Sequence, residues 1–312
     1  MQFSYRQTID YSVVVPVFNG EATIEELFTR IQKVFDSLKQ TFEVIFVEDC
    51  GADNSWQIIT LLKSKYPKQV VGIKLVKNFG QHNATLCGCH FARGQYIITI
   101  DDDLQTPPEE IPKLIDARQQ SLADVVYGVY PVKKHSVVRR LGSAIVRKTF
   151  KLGAGTRNEG SSFRLIDHDI IAKIVMHTQN FIYIDEILQW YTNQIVAVAV
   201  MHEARKKGQS GYPLLKLILF TLDLIINYTA IPLRIMTYGG LLFSVVFFCV
   251  GLYYIYDKIV SDTQLGFTSL ITAIFFTTGI ILFCLGIIGE YLRRIYMGQN
   301  QRPQYAIRKI LQ

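Results

Sequence analysis

Two long stretches of this chain carry no charge at all, and a third carries no acidic residue. Ile235–Tyr256 runs 22 residues without a charge and Thr263–Gly289 runs 27. A hydrocarbon core of about 30 Å needs about 20 helical residues, so both can span it. Between Val125 and Asn158 there is no aspartate or glutamate, yet eight basic residues fall there: Lys133, Lys134, Arg139, Arg140, Arg147, Lys148, Lys151 and Arg157. A solvated helix face normally mixes signs, so a one-sign stretch calls for an anion: a diphosphate, a lipid phosphate or an anionic bilayer surface. Cysteine is scarce, and the five present, at 50, 87, 89, 249 and 284, lack zinc-type spacing. Cys87-Gly88-Cys89 therefore reads as core rather than metal site. An odd cysteine count and an N-terminus, MQFSYRQTID, too polar for a secretory signal suit a reducing, cytosol-facing domain. The net charge of +7 favours anionic partners. Nucleic acid is set aside, because the basic residues accompany an acidic cluster and a membrane anchor.

That anchor is a hairpin. The two apolar runs are joined by a short polar tip with Asp257, Lys258 and Asp262. Basic residues flank both outer ends: Arg205, Lys206, Lys207, Lys216 and Arg234 before, Arg293, Arg294, Arg302, Arg308 and Lys309 after. The positive-inside rule puts both termini and the preceding domain in the cytoplasm. Tyr212–Tyr228 carries a narrow polar stripe, Lys216, Asp223 and Asn227, at i, i+7 and i+11. That spacing suits a helix lying in the membrane interface. The chain thus divides into a cytosolic domain (1–211), an amphipathic interfacial helix (212–230), a transmembrane hairpin (231–295, spans near 232–256 and 264–290) and a cytosolic basic tail (296–312).

The first two-thirds alternates strand and helix patterns. Tyr11–Phe18, Phe42–Val47, Val70–Val76 and Tyr96–Ile100 read as strands; Glu21–Leu38, Asp53–Lys65 and Gln81–Ala92 read as helices. This rhythm predicts a parallel, doubly wound α/β sheet, in which ligands bind beyond the carboxyl ends of the strands. Three segments meet that condition: Asn19-Gly20-Glu21, Glu48-Asp49 and Asp101-Asp102-Asp103. One crevice is expected to collect all three. Adjacent carboxylates repel, and a cation or full solvation must compensate. Alternate residues of an extended segment point the same way, so Asp101 and Asp103 are expected on one ion, with Gln105 continuing the alternation. Hard oxygens suit Mg²⁺ or Mn²⁺ shared with substrate phosphates. Asp102 is expected to point away or serve another contact. Arg139 and Ser143, at i and i+4, share a helical face that could grip a phosphate.

Taken in order, YSVVVPVFNGE (11–21), EDCGADNS (48–55), NFGQHNATLCGCHFARG (78–94), DDDLQTPPEEIP (101–112), SFRL (162–165), RKKGQSGY (205–212) and PLR (232–234) span nearly the whole chain. In these it resembles the polyprenyl-phosphate glycosyltransferases of inverting family 2. The resemblance implies a GT-A-type, Rossmann-like domain followed by the interfacial helix and the hairpin. It implies inverting transfer of a sugar from a nucleotide diphosphate sugar, with uridine diphosphate the default, to a polyprenyl phosphate. The product would serve cell-surface glycan or lipid modification, from a multi-pass position in the cell inner membrane. It places Pro16, Phe18, Glu21, Asp49, Asn78, Gly80, Asp101 and Asp102 around the nucleotide. The metal would fall to Asp101, Asp103 and Gln105, with Asp103 catalytic. Lys133, Arg139, Arg140, Ser143, Arg164 and Arg205 would hold the phosphates. Relatives also assemble as tetramers, which implies a homo-oligomer.

Two departures stand out. Phe18-Asn19-Gly20-Glu21 replaces the usual Tyr-Asn-Glu, which shifts the ribose ligand by a position. Ser162 stands where many relatives carry an aspartate proposed as catalytic base; Asp185 and Glu159 are the replacements considered. The acceptor phosphate has a second pKa of about 6 and is largely ionised in the cytosol, so a strong base is dispensable. A hydroxyl acceptor, or a non-catalytic nucleotide-binding membrane scaffold, are the rival readings.

Overall fold

A computed structural model of the chain describes residues 9–130, 161–176, 183–203, 231–261, 266–299 and 303–312. The interfacial helix expected over 212–230 lies outside them. So do six of the expected site residues: Lys133, Arg139, Arg140, Ser143, Glu159 and Arg205.

The α/β domain opens with β1 (Tyr11–Val17), α1 (Ile24–Leu38), β2 (Phe42–Glu48), α2 (Ser55–Lys65), β3 (Val70–Leu75), α3 (Gln81–Phe91) and β4 (Tyr96–Thr99). A 3₁₀ turn at Pro108–Glu110, α4 (Ile111–Ser121), β5 (Val125–Val129), β6 (Arg164–Asp167), α5 (His168–Ile174), α6 (Ile184–Tyr191) and β7 (Ile195–Ala199) follow. The strands β1 and β2 are wholly buried, because helices cover both faces of the sheet. On α1 the buried residues Ile24, Leu27, Phe28, Ile31, Val34 and Phe35 recur at helical spacing and form the stripe laid on the sheet.

With β8 (Ile307–Leu311) at one end, the sheet is mixed, in the order β7-β5-β6-β4-β1-β2-β3-β8. From β4 to β3 it is parallel, as the alternation predicts. Two strands depart from the expected parallel sheet: β6 is antiparallel to β4 and β5, and β8 is antiparallel to β3. The second also corrects the tail. Instead of a basic tail alone, the last residues form β8 (Ile307–Leu311) on the outer edge of β3. The open edge supplies unpaired amides and carbonyls, Ile307 packs against the core and Leu311 lies against Gly72 of β3. Arg308 and Lys309 stay exposed, which suits an edge strand.

The geometry that positions a site lies at β1. Val14 pairs with Thr99 of β4, and there the β1–β4 pairing stops. On the other side β1 continues against β2 as far as Val17. Pro16, with no N–H, sits beyond the last β4 pair, so its missing donor breaks no ladder bond. The sheet parts here between β1 and β4. This is the switch point at which open α/β sheets bind ligands.

A second unit contains α7 (Ile231–Ser261) and α8 (Phe267–Gln299), which touch each other. Leu242, Val245, Leu252, Leu270, Ile274 and Leu282 are among its exposed apolar side chains. Exposed apolar surface of this extent is costly in water. Among the described residues one stretch, Phe276–Arg293, meets both the length and the apolarity needed to cross a membrane.

Candidate active site

Four loops at the carboxyl ends of the strands are tied into one hydrogen-bonded network, and it includes all three segments expected to share a crevice. After β1, Asn19 adopts a left-handed conformation (φ 56°) and its side-chain oxygen accepts from the Ala52 amide at 2.8 Å. The Gly20 amide donates to Ser55 Oγ at 3.0 Å, and the Glu21 amide to Asp53 Oδ2 at 2.8 Å. The Glu21 carboxylate accepts from the Asn54 amide at 3.1 Å and from its side-chain nitrogen at 3.2 Å. Asp53, just before α2, accepts from both the amide and the hydroxyl of Ser55. Phe18 projects half-exposed above this loop.

Asp49 is buried. Its two oxygens accept from the Phe79 and Gly80 amides at 2.7 and 2.8 Å, and Asn78 Oδ1 adds a second acceptor for Gly80 at 3.0 Å. Burial holds the Asp49 carboxyl above the ordinary carboxylate range, against the pull of the two amide hydrogens. Gly80 has φ +87°, a conformation that glycine alone adopts without strain, and it delivers Gln81 at the first turn of α3. Asp49, Asn78 and Gly80 therefore build the rim of the crevice at the start of α3.

The aspartate cluster follows β4. It is a turn rather than an extended segment: β4 stops at Thr99, and Leu104 is left-handed at φ 59° with its side chain buried. The expected alternation is thus replaced by separate anchors for each carboxylate. Asp101 accepts from Gln81 Nε2 at 2.6 Å and from Ser162 Oγ at 2.7 Å. Asp103 Oδ1 accepts from the Gln105 amide at 3.1 Å. Asp102 turns the other way, and its Oδ2 accepts from the Phe18 amide at 3.2 Å. A Cβ on Gly20 would stand 2.5 Å from that same oxygen, so glycine is required for the two loops to meet. Burial, reinforced by Asp101 and Asp103, pushes the Asp102 carboxyl up to about 7. The Gln105 carbonyl accepts from the Glu203 amide at 2.8 Å and lies 3.2 Å from the His202 ring nitrogen. His202 in turn packs on Tyr130, with ring centroids 4.3 Å apart.

Among the described residues, no three acidic, histidine or cysteine side chains form a ready metal cage. Mg²⁺ and Mn²⁺ ask for less, since one or two carboxylates suffice when substrate phosphates complete the shell. Asp101 and Asp103 both act on Asp102, so their charges are concentrated in one turn, with Gln105 alongside. This set of hard oxygens fits such an ion.

Arg164 and Asp185 take roles other than those expected. The structure joins them in a buried ion pair at 2.7 Å, with side chains 3% and 8% exposed. Arg164 was expected on a phosphate and Asp185 was considered as a base; each is engaged by the other instead. Sequence spacing could not show this, because β6 and α6 meet only in the tertiary fold. Beside the pair, the His82 ring meets Tyr183 edge-on at 4.9 Å. Burial holds the His82 imidazole down at about 4, with Arg164 acting in the same direction and Asp185 opposing. An unfolded histidine near 6.5 binds a proton that the folded one refuses, so this contribution is complete above pH 6.5 and is lost as pH falls toward 4. At about 1.36 kcal/mol per unit, the loss is on the order of 3 kcal/mol. Thermal unfolding of the full chain in detergent across that window should show a steeper acid loss for the wild type than for His82→Gln. Parallel curves would contradict this account.

The cysteine pair is core. Cys87 and Cys89 are buried on α3, and burial pushes both thiols up to about 12. A cavity of about 760 Å³ lined by Phe42, Lys63, Val70, Phe91 and Arg93 opens at the amino ends of β2 and β3. It lies at the wrong end of the strands for the substrate of an open α/β sheet. Missed from sequence were the partners of the carboxylates: Gln81, Asn54 and Ser55. Gln81 lies inside the motif 78–94, but no periodicity links it to Asp101.

The family described as Glycosyl transferase family 2 matches residues 12–190, and the GtrB C-terminal hairpin matches 231–295. The chain is 32% identical to an undecaprenyl-phosphate 4-deoxy-4-formamido-L-arabinose transferase of Shewanella sediminis, covering 98% of this chain and 94% of that one. It is 31% identical to the protein of the same name from Aeromonas hydrophila, over 96% and 93%. Among solved structures it is similar to glucosyl-3-phosphoglycerate synthase from Mycobacterium tuberculosis in complex with Mn²⁺, UDP-glucose and phosphoglyceric acid. That match has 20% identity and a TM-score of 0.49, and covers 70% of this chain and 78% of that one.

Proposed function

Because the chain belongs to glycosyl transferase family 2 and carries the GtrB C-terminal hairpin, we propose that it transfers a sugar from a nucleotide diphosphate sugar to a polyprenyl phosphate. The observation that carries the reading is the braced carboxylate turn, Asp101 to Asp103, where β1 and β4 part. The acceptor class is supported by the names of relatives that match nearly end to end. Uridine diphosphate is the default donor nucleotide.

The acceptor is a phosphate monoester already ionised near neutral pH, its second pKa being about 6. One of its oxygens attacks the anomeric carbon from the face opposite the diphosphate. The bond from that carbon to the diphosphate oxygen breaks, the nucleotide diphosphate leaves, and the anomeric centre inverts. No proton need be removed from the nucleophile, so positioning and charge neutralisation lower the barrier. Asp101, Asp103 and Gln105 would hold Mg²⁺ or Mn²⁺, whose positive charge would offset that of the diphosphate. The loops 18–21 and 49–55 present backbone and side-chain polar groups to the nucleoside. Lys133, Arg139, Arg140, Ser143 and Arg205 are proposed for the phosphates. The hairpin would cross the inner membrane twice, with the catalytic domain and both termini on the cytoplasmic side.

The test is a panel of nucleotide sugars offered with undecaprenyl phosphate to the purified chain in detergent. The expected product is a lipid heavier than the acceptor by one anhydrosugar, identified by mass spectrometry. Transfer only to a hydroxyl lipid such as diacylglycerol, or no transfer from any donor, would overturn the reading.

A further inference from the structure

We propose that Gln81 and Ser162 are positioning residues that aim the Asp101 carboxylate at the divalent ion; this rests on reading the aspartate turn as the metal and diphosphate site. Both oxygens of Asp101 are held, Oδ1 by Gln81 Nε2 at 2.6 Å and Oδ2 by Ser162 Oγ at 2.7 Å. The two donors arrive from separate elements: the first residue of α3 and the loop entering β6.

Each donor is itself anchored. Asp49 grips the Phe79 and Gly80 amides immediately before Gln81. The Ser162 carbonyl accepts from the Thr99 hydroxyl at 2.6 Å, which ties the loop to the end of β4. A continuous chain of hydrogen bonds therefore runs from β2 through α3 to Asp101, and back through Ser162 to β4. Each oxygen takes one of these neutral donors, and a carboxylate oxygen offers about two lone-pair sites. Neutral donors fix the plane of the carboxylate without discharging it. A lysine or arginine in either place would compete with the ion. Ligating carboxylates are commonly oriented by such outer partners.

A purely structural role for the Ser162 hydroxyl is poorly motivated. The β4–β6 junction is already joined by the Thr99–Arg164 register pair and by the bond from Thr99 to the Ser162 carbonyl. The hydroxyl is left to Asp101. Its contact assigns Ser162 a donor's part in this chain.

The test is Mn²⁺ binding to the full chain in detergent, with uridine diphosphate present, read by electron paramagnetic resonance. Ser162→Ala and Gln81→Ala should each weaken Mn²⁺ binding roughly tenfold. Their thermal midpoints, and their affinity for uridine diphosphate in chelator, should stay at the wild-type values. On an Asp101→Asn background neither replacement should weaken Mn²⁺ further. Ser162→Asp should weaken binding at least as much as Ser162→Ala, because it sets a second carboxylate against Oδ2. Unchanged Mn²⁺ affinity in both alanine variants would overturn the inference and leave the metal reading intact. So would an undiminished loss on the Asp101→Asn background, or faster sugar transfer by Ser162→Asp. A wild-type protein that binds no Mn²⁺ would overturn the metal reading, and this inference with it.

Discussion

Asp103→Ala is expected to transfer sugar roughly 10³-fold more slowly than the wild type, the scale of losing one principal electrostatic contact to a leaving group. Its folding should be unaffected or slightly improved. Asp103 stands in a turn where three carboxylates repel, and its charge is one of those that raise Asp102. Removing it relieves that repulsion, and surface replacements of this kind stay within about 0.5 kcal/mol. Its hydrogen bond to the Gln105 amide closes the turn locally, whereas the turn as a whole is held by Asp102 on Phe18 and by the buried Leu104. The measurements are initial rate with the best donor and thermal midpoint in detergent. Full activity in Asp103→Ala would remove Asp103 from the metal set.

The second large effect is on stability. Asp185→Ala should destabilise the α/β domain by about 3–5 kcal/mol, because it leaves the Arg164 guanidinium buried without its partner. The pair is enclosed by Tyr127 and His82, Arg164 Nε has no hydrogen-bond partner among the described residues, and Asp185 is the carboxylate that acts most strongly on the guanidinium. Replacing both residues by leucine should cost far less than either single change, since desolvation of both charges is relieved together. Urea unfolding of the single and double variants reads this directly. Activity per folded molecule discriminates the roles: a well-folded Asp185→Asn enzyme that has lost transfer would return Asp185 to the position of a base.

The neighbouring loops show why parts of the site were legible and others were not. Asp101 to Asp103 announce themselves because like charges at a strand end need a cation, whatever the remainder of the fold. Asp49 and Gly80 were found through their motifs, but their joint task, a carboxylate gripping the turn ahead of α3, depends on β2 and β3 lying side by side. Arg164 shows the opposite case. An arginine next to a basic stretch invites a phosphate, yet β6 runs antiparallel beside β4 and faces it onto α6.

By itself the sequence determined the α/β rhythm, the strand ends at which chemistry gathers and the charge-free runs of the hairpin. These follow from periodicity and charge, which are local properties of the chain. Tertiary structure alone decided that the sheet is mixed, that the terminal residues return as β8 and that Asp102 turns to Phe18 while Gln81 and Ser162 hold Asp101. Those contacts join residues 20 to 239 positions apart. No local pattern encodes which distant donor meets which carboxylate; that is settled only when the strands have chosen their neighbours.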